Sequence, residues 1–293
     1  MLYTILRFPG GKTKAVTFSY DDGAKADIKL ANTLTNYGLK GTFNLTNCNF
    51  NSPNHLSMDE IKFHILDVGH EIAVHGEFHK ALGLCSPLEG IRDVLNCRLE
   101  LEKLFGRIIR GMAYADSGIR NIQYGTDYAK IKQYLTDLGI AYSRTLGEDN
   151  NLFRLPQDWH AWMPTVHHNN PHALEYAEQF LDIACDKQYC ARMYPRLYYV
   201  WGHSYEFDRD NNWDRLEALC EKLSGHDDIW YATNIEIYDY VQSYHALVFS
   251  ADHTVVYNPT LVKIWFNRDN KEYSIDPGQT MILKVSDSKD SRT

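Results

Sequence analysis

Asp21 and Asp22 stand side by side between the apolar run Ala15–Tyr20 and Gly23, and His75 and His79 lie four residues apart further along the chain. A third histidine, His203, follows Trp201-Gly202. Two imidazoles at i and i+4 with one carboxylate make a three-ligand set that suits Zn²⁺ and leaves one position open for water. A metal held in this way lowers the pKa of its water and polarises a carbonyl. A second carboxylate beside the ligands can accept a proton from that water, and a histidine across the cleft can protonate a departing amine. This is equipment for hydrolysing an amide. The segment His75-Gly-Glu-Phe-His79 is not the HExxH of metalloproteases, because its acidic residue is third, not second.

Taken singly, an Asp-Asp-Gly is most often a turn and an HxxxH two surface histidines, so the elements that position them decide the matter. Ala15–Tyr20 reads as a buried strand, Gly41–Leu45 as a second and Glu71–His75 as a third. Ile108–Ala113, Ala141–Arg144, Leu197–Trp201 and Ile229–Ala232 continue the series. Helical spacing falls between them at 24–37, from Ser57 to about Asp67, from Ser86-Pro87 to Gly106, at 127–138, 172–185, 213–223 and 235–244. Serial βα units predict a parallel α/β sheet closing into a distorted (β/α)7 barrel over residues 1–244, and in such folds the working residues lie past the strand C-termini. The carboxylate pair, the three histidines, Tyr114 and Arg144 all fall there. From 245 to 293 short β-type runs alternate with Asn, Asp, Pro and Gly turns, predicting a small β-rich appendage.

Composition narrows the classes. The 293 residues include 30 Lys and Arg against 38 Asp and Glu, a net charge of −8, which argues against nucleic acid as a partner. No apolar run approaches the ~18 residues that span a bilayer. The opening Met1–Pro9 is too short an apolar stretch for a signal peptide, so the expectation is cytoplasmic as written, or export with a leader removed. Six cysteines without a CxxC pair read as free thiols. Aromatic residues reach 13%, and rings of this kind in a cleft stack on sugars.

Thr17-Phe-Ser-Tyr-Asp21-Asp22-Gly23, His75-Gly-Glu-Phe-His79 and Trp201-Gly-His203 resemble, in order and spacing, the NodB-homology polysaccharide deacetylases of carbohydrate esterase family 4. The resemblance covers roughly residues 10–244. It implies a (β/α)7 barrel, an N-acetylated carbohydrate as substrate, and a divalent metal, zinc with cobalt or nickel as alternatives. It also implies that Asp21 is the catalytic base, that Asp22, His75 and His79 hold the metal, and that His203 is the general acid. The sequence departs from the family in two places. Gly76 stands where the family has Ser or Thr. The third motif, Arg-x-Pro-Tyr, is matched only by Arg110-Gly-Met-Ala-Tyr114. Tyr114 is therefore the candidate whose backbone amide helps bind an oxyanion, and Arg144 the candidate that replaces the arginine orienting the base. Asp158-Trp159, or Trp162, is the candidate for the fourth motif on the cleft wall, and Trp201 and Tyr205 flank His203. His160, His167, His168 and His172 read as rim or surface histidines. Rival readings are an amidase for a non-sugar amide or cyclic imide, and a non-catalytic carbohydrate-binding barrel.

Overall fold

The computed structural model describes residues 3–50, 52–121, 125–147, 149–184, 193–269 and 271–283. In chain order its first strands are β1 (Thr4–Arg7), β2 (Lys14–Asp21), β3 (Gly41–Leu45), β4 (Glu71–Val74) and β5 (Gly111–Ala113). Then follow β6 (Tyr142–Arg144), β7 (Val166–His167), β8 (Arg196–Gly202) and β9 (Ile229–Tyr231). Strands β2 to β9 form one parallel sheet in the order β6-β5-β4-β3-β2-β8-β7, with β9 against β2. All residues of β2 are buried, as a strand covered on both faces must be. One flank of β2 meets β8 along Lys14–Tyr20. The other flank meets β9 at Lys14–Val16 and β3 at Phe18–Asp21. That shared flank distorts the (β/α)7 barrel. Between β6 and β7 only the bridges Arg144↔Trp162 and Asp149↔Val166 carry the ladder across. The two-residue β7 lies in a stretch that the sequence reads as irregular.

The helices are α1 (Asp27–Asn36), α2 (Met58–Ile61, widening into a π-turn over Lys62–Leu66), α3 (Pro87–Phe105) and α4 (Tyr128–Asp137). They continue with α5 (Ala173–Asp182), α6 (Tyr205–Arg209), α7 (Trp213–Leu223) and α8 (Asn234–His245). Residue 185, at the end of the expected helix 172–185, lies outside the described residues, as do Cys185 and Cys190. Helix α3 is the best defined from sequence. Ser86 and Glu89 form a capping box, Pro87 opens the first turn and Gly106, at φ 61°, ends it. Its buried face, with Val94, Cys97 and Leu101, packs into the core that also takes Leu30 and Leu34 of α1.

Past α8 come β10 (Val248–Phe249), β11 (Val255–Tyr257), β12 (Ile264–Arg268), β13 (Lys271–Ile275) and β14 (Thr280–Ile282). They build two antiparallel three-stranded sheets, β10-β11-β14 and β1-β12-β13. Strand β1, which the sequence reading did not predict, thus sits beside β12 with Thr4 opposite Arg268. A second core cluster spans the junction, joining Leu6, Phe8 and Tyr199 to Tyr240, Val256 and Phe266.

Candidate functional site

Strand register brings the predicted residues together. Tyr20 of β2 pairs with Gly202 of β8, so His203 emerges beside Asp21. Asp21 pairs with Asn44, and Leu45 with Val74, which puts His75 one strand further along. Asp21 is buried. Its Oδ1 accepts a hydrogen bond from Asn44 Nδ2 at 2.8 Å, and its Oδ2 accepts one from Arg144 Nη2. Burial opposes the charge on Asp21, but Arg144, His75 and His203 outweigh it and hold the carboxyl below its usual range. Arg144, fully buried, lies over the Trp201 ring at 4.5 Å, and Trp201 Nε1 donates to Gly147 O.

Asp22 takes φ 78°, a left-handed backbone that is costly for a residue with a Cβ. Its N–H donates to Asn44 O at 3.0 Å. The turn sets Asp22 Oδ1 3.5 Å from His75 Nε2 and 3.3 Å from His79 Nε2. His75 Nδ1 donates to Ala113 O at 3.0 Å, so the neutral ring presents the lone pair of Nε2 to this space. Burial lowers the His75 pKa and favours that neutral form. His75 Nε2 is itself buried and has no hydrogen-bond partner among the described residues. A lone pair and a carboxylate oxygen facing each other repel unless a cation lies between them. Donors around a zinc-sized ion bound at about 2.1 Å stand about 3.4 Å apart. Asp22, His75 and His79 fit a divalent metal.

On the other side of Asp21, His203 Nε2 lies 4.0 Å from both Asp21 Oδ2 and Asp22 Oδ2. Its Nδ1 faces Glu206 Oε2 at 3.7 Å. Burial works against a charged His203, but Glu206, Asp21 and Asp22 outweigh it and raise its pKa above the ordinary value. The same Glu206 oxygen is 3.2 Å from His167 Nε2 and 3.2 Å from His168 Nε2. His168 is buried, with its pKa pushed by burial down to about 4, so it is not a surface histidine.

Other expectations are corrected. The Tyr114 N–H donates to Arg144 O at 3.0 Å within the β5–β6 ladder, and its hydroxyl donates to His160 O. That amide is therefore not available to an oxyanion. Trp159 packs edge-on against Trp162 and against Tyr238 of α8, and Asp158 accepts from Tyr128 and Lys132, so this pair builds core and helix contacts and no cleft wall. Trp201 is buried behind Arg144 and does not line an open cleft, whereas Tyr205 is exposed with its ring 5.4 Å from that of His203. Arg110 pairs with Asp239 just before β5, away from the strand C-termini. His160 is buried between Ser143 and Thr136, and His172 pairs with Glu175 on α5. Sequence reasoning missed Asn44 and Glu206. A polar Asn inside the apolar strand Gly41–Leu45, and an acid three residues after His203, were the available signals.

A parallel βα barrel with its titratable groups gathered past the strand C-termini has the architecture of barrel enzymes. Residues 9–143 match the polysaccharide deacetylase family. A protein from Mycobacterium smegmatis described as a polysaccharide deacetylase is similar in structure, with TM-score 0.56 and 17% identity over 82% of this chain and 94% of that one. So is a mutant of a Bacillus anthracis family 4 carbohydrate esterase pseudoenzyme with restored enzymatic activity, with TM-score 0.50 and 14% identity over 80% of this chain and 70% of that one. At these identities the likeness is one of fold. None of the curated proteins matches this sequence.

Proposed function

We propose that this chain is a metal-dependent deacetylase that hydrolyses the N-acetyl amide of a carbohydrate. One observation carries the reading: the buried, unpartnered His75 Nε2 faces the carboxylate that His79 Nε2 also faces, with Asp21 and His203 on the flank of the same space. Asp22, His75 and His79 would hold the ion, zinc or in its place cobalt or nickel, which when bound supplies a Lewis acid and a water of low pKa. Asp21 accepts the proton of the attacking water at Oδ2. Asn44 and Arg144 fix the direction of that carboxylate and keep it ionised. His203 carries a proton at Nε2 and gives it to the amine as the C–N bond breaks, since an amine leaves poorly unless protonated. The Trp201 ring lies under the Arg144 guanidinium, so the base is oriented from behind.

Acetate release from N-acetylglucosamine oligomers and peptidoglycan, with and without chelator, tests the reaction. Release that the chelator abolishes is expected, and unchanged release in chelator would end the metal-dependent reading. His203→Ala separates amide chemistry from simple binding. It should cripple amide hydrolysis far more than hydrolysis of an activated acetyl ester, and equal losses on both would remove the general-acid role.

A further inference from the structure

Beyond Val74 the chain leaves the sheet in a tight excursion that carries both histidines. Gly76 has φ 86° and His79 φ 54°. Two consecutive amides of the excursion are tied to one residue of α3. The Glu77 N–H donates to the backbone O of Asp93 at 3.0 Å, and the Phe78 N–H donates to Asp93 Oδ1 at 2.8 Å. The other carboxylate oxygen, Oδ2, lies against Gly76. A Cβ built at position 76 would fall 2.2 Å from it, and 3.6 Å from the His79 backbone N. Asp93 is 3% exposed and makes no ion pair among the described residues. A buried carboxylate is costly unless its hydrogen bonds are used; here Oδ1 is used on the loop, while Oδ2 has no hydrogen-bond partner among the described residues. The platform itself is rigid: Val94, Cys97 and Leu101 set this face of α3 into the core, and both helix ends are capped.

Resting on the metal-dependent reading above, we propose that Asp93 is a positioning residue for the metal-ligand loop, and that Gly76 and Asp93 act as one unit. The carboxylate reaches the loop because position 76 has no side chain. With its carboxylate on the Phe78 N–H and its backbone carbonyl on the Glu77 N–H, Asp93 fixes how far apart the two imidazoles stand and which way they face. Partners one layer behind metal ligands typically change affinity by about 10- to 100-fold when removed. Asp93 acts through the backbone, but at the same remove.

The test measures zinc affinity by competition with a chromophoric chelator, together with the thermal midpoint of the metal-free protein, for the full chain and its variants. Asp93→Ala should weaken zinc binding by about 10- to 100-fold. Asp93→Asn, which keeps an oxygen for the Phe78 N–H, should stay near the parent. Gly76→Ser, which disturbs the same contact without emptying the site in α3, should also weaken zinc. Combined with Asp93→Ala it should cost less than it does alone, because the collision partner is gone. Parental zinc affinity in Asp93→Ala, a fall in thermal midpoint with no change in zinc affinity, or strict additivity of the two substitutions would each overturn the proposal. Failure of the parent protein to bind zinc would instead bring down the metal reading, and this inference with it.

Discussion

At the start of β4, Glu71 has both carboxylate oxygens occupied: Oε2 accepts from Thr42 Oγ1 at 2.8 Å and from the Ile235 N–H at 2.9 Å, and Oε1 accepts from Tyr142 Oη at 2.8 Å. Just past the other end of the same strand His75 is more deeply buried, yet its Nε2 has no hydrogen-bond partner among the described residues and faces a carboxylate. Thr17, Asn234 and Tyr199 repeat the first pattern, bonded to one another. Asp22, His203 and Glu206 repeat the second, with carboxylate–imidazole contacts running from 3.2 to 4.0 Å. Burial alone thus does not mark function. A polar group enclosed and satisfied holds strands in register, whereas one enclosed and left facing its like is arranged for something that arrives later.

The difference can be broken from either end. Asp21→Asn, at the mouth, should lower kcat by about 10²- to 10⁴-fold while bound metal and the thermal midpoint are kept, and turnover within twofold of the parent would sink its role as base. Glu71→Ala, at the opposite end, should cost about 2–4 kcal/mol in urea unfolding by stranding three donors, and leave the metal content unchanged. A loss of metal in that variant would mean the two ends are not independent. Burial raises the Glu71 carboxyl to about 7, above its ordinary 4.5, so the native state keeps a proton that the unfolded chain releases. That contribution is complete below about 4.5 and disappears as pH rises through about 7. The stability gap between the parent and Glu71→Ala should therefore narrow between roughly pH 5 and pH 8. The smallest effect is expected at Trp201→Phe, which keeps an aromatic face under Arg144 but loses the indole N–H to Gly147. A fall of about two- to tenfold in kcat/KM is expected, and no change would show that the guanidinium needs no support.

The strands and the five residues Asp21, Asp22, His75, His79 and His203 were legible because residue type, spacing and position at a strand end agreed. Arg144 was legible for the same reason, as the charge that closes an apolar strand. What was not legible depends on register and on helix rotation. Asn44 bonds to Asp21 only because β2 and β3 pair at that position, and Asp93 reaches the loop only because α3 turns that face inward. Trp159 shows the opposite failure. A large ring beside an acid suggests a binding wall, but a ring is satisfied by any close packing, and here Trp162 and Tyr238 supply it. The departure at Gly76 was visible as a departure, but its reason lies in a carboxylate on another element.

Strand β1 has a consequence for how the molecule is made. Ile5 and Leu6 are buried, and their sheet partners are Asn267 and Phe266. On a ribosome adding about 5–20 residues per second, roughly 15–50 s pass between the two strands, during which a short apolar segment has no edge to join. Bringing ends so distant together carries a closure entropy that grows only slowly with length, so the delay, more than the equilibrium cost, is the exposure. Strands β2 to β6 can pair as they emerge, but the sheet that closes over Phe8 must wait until β12 is synthesised, so this junction becomes resistant to proteases during synthesis later than the barrel sheet does.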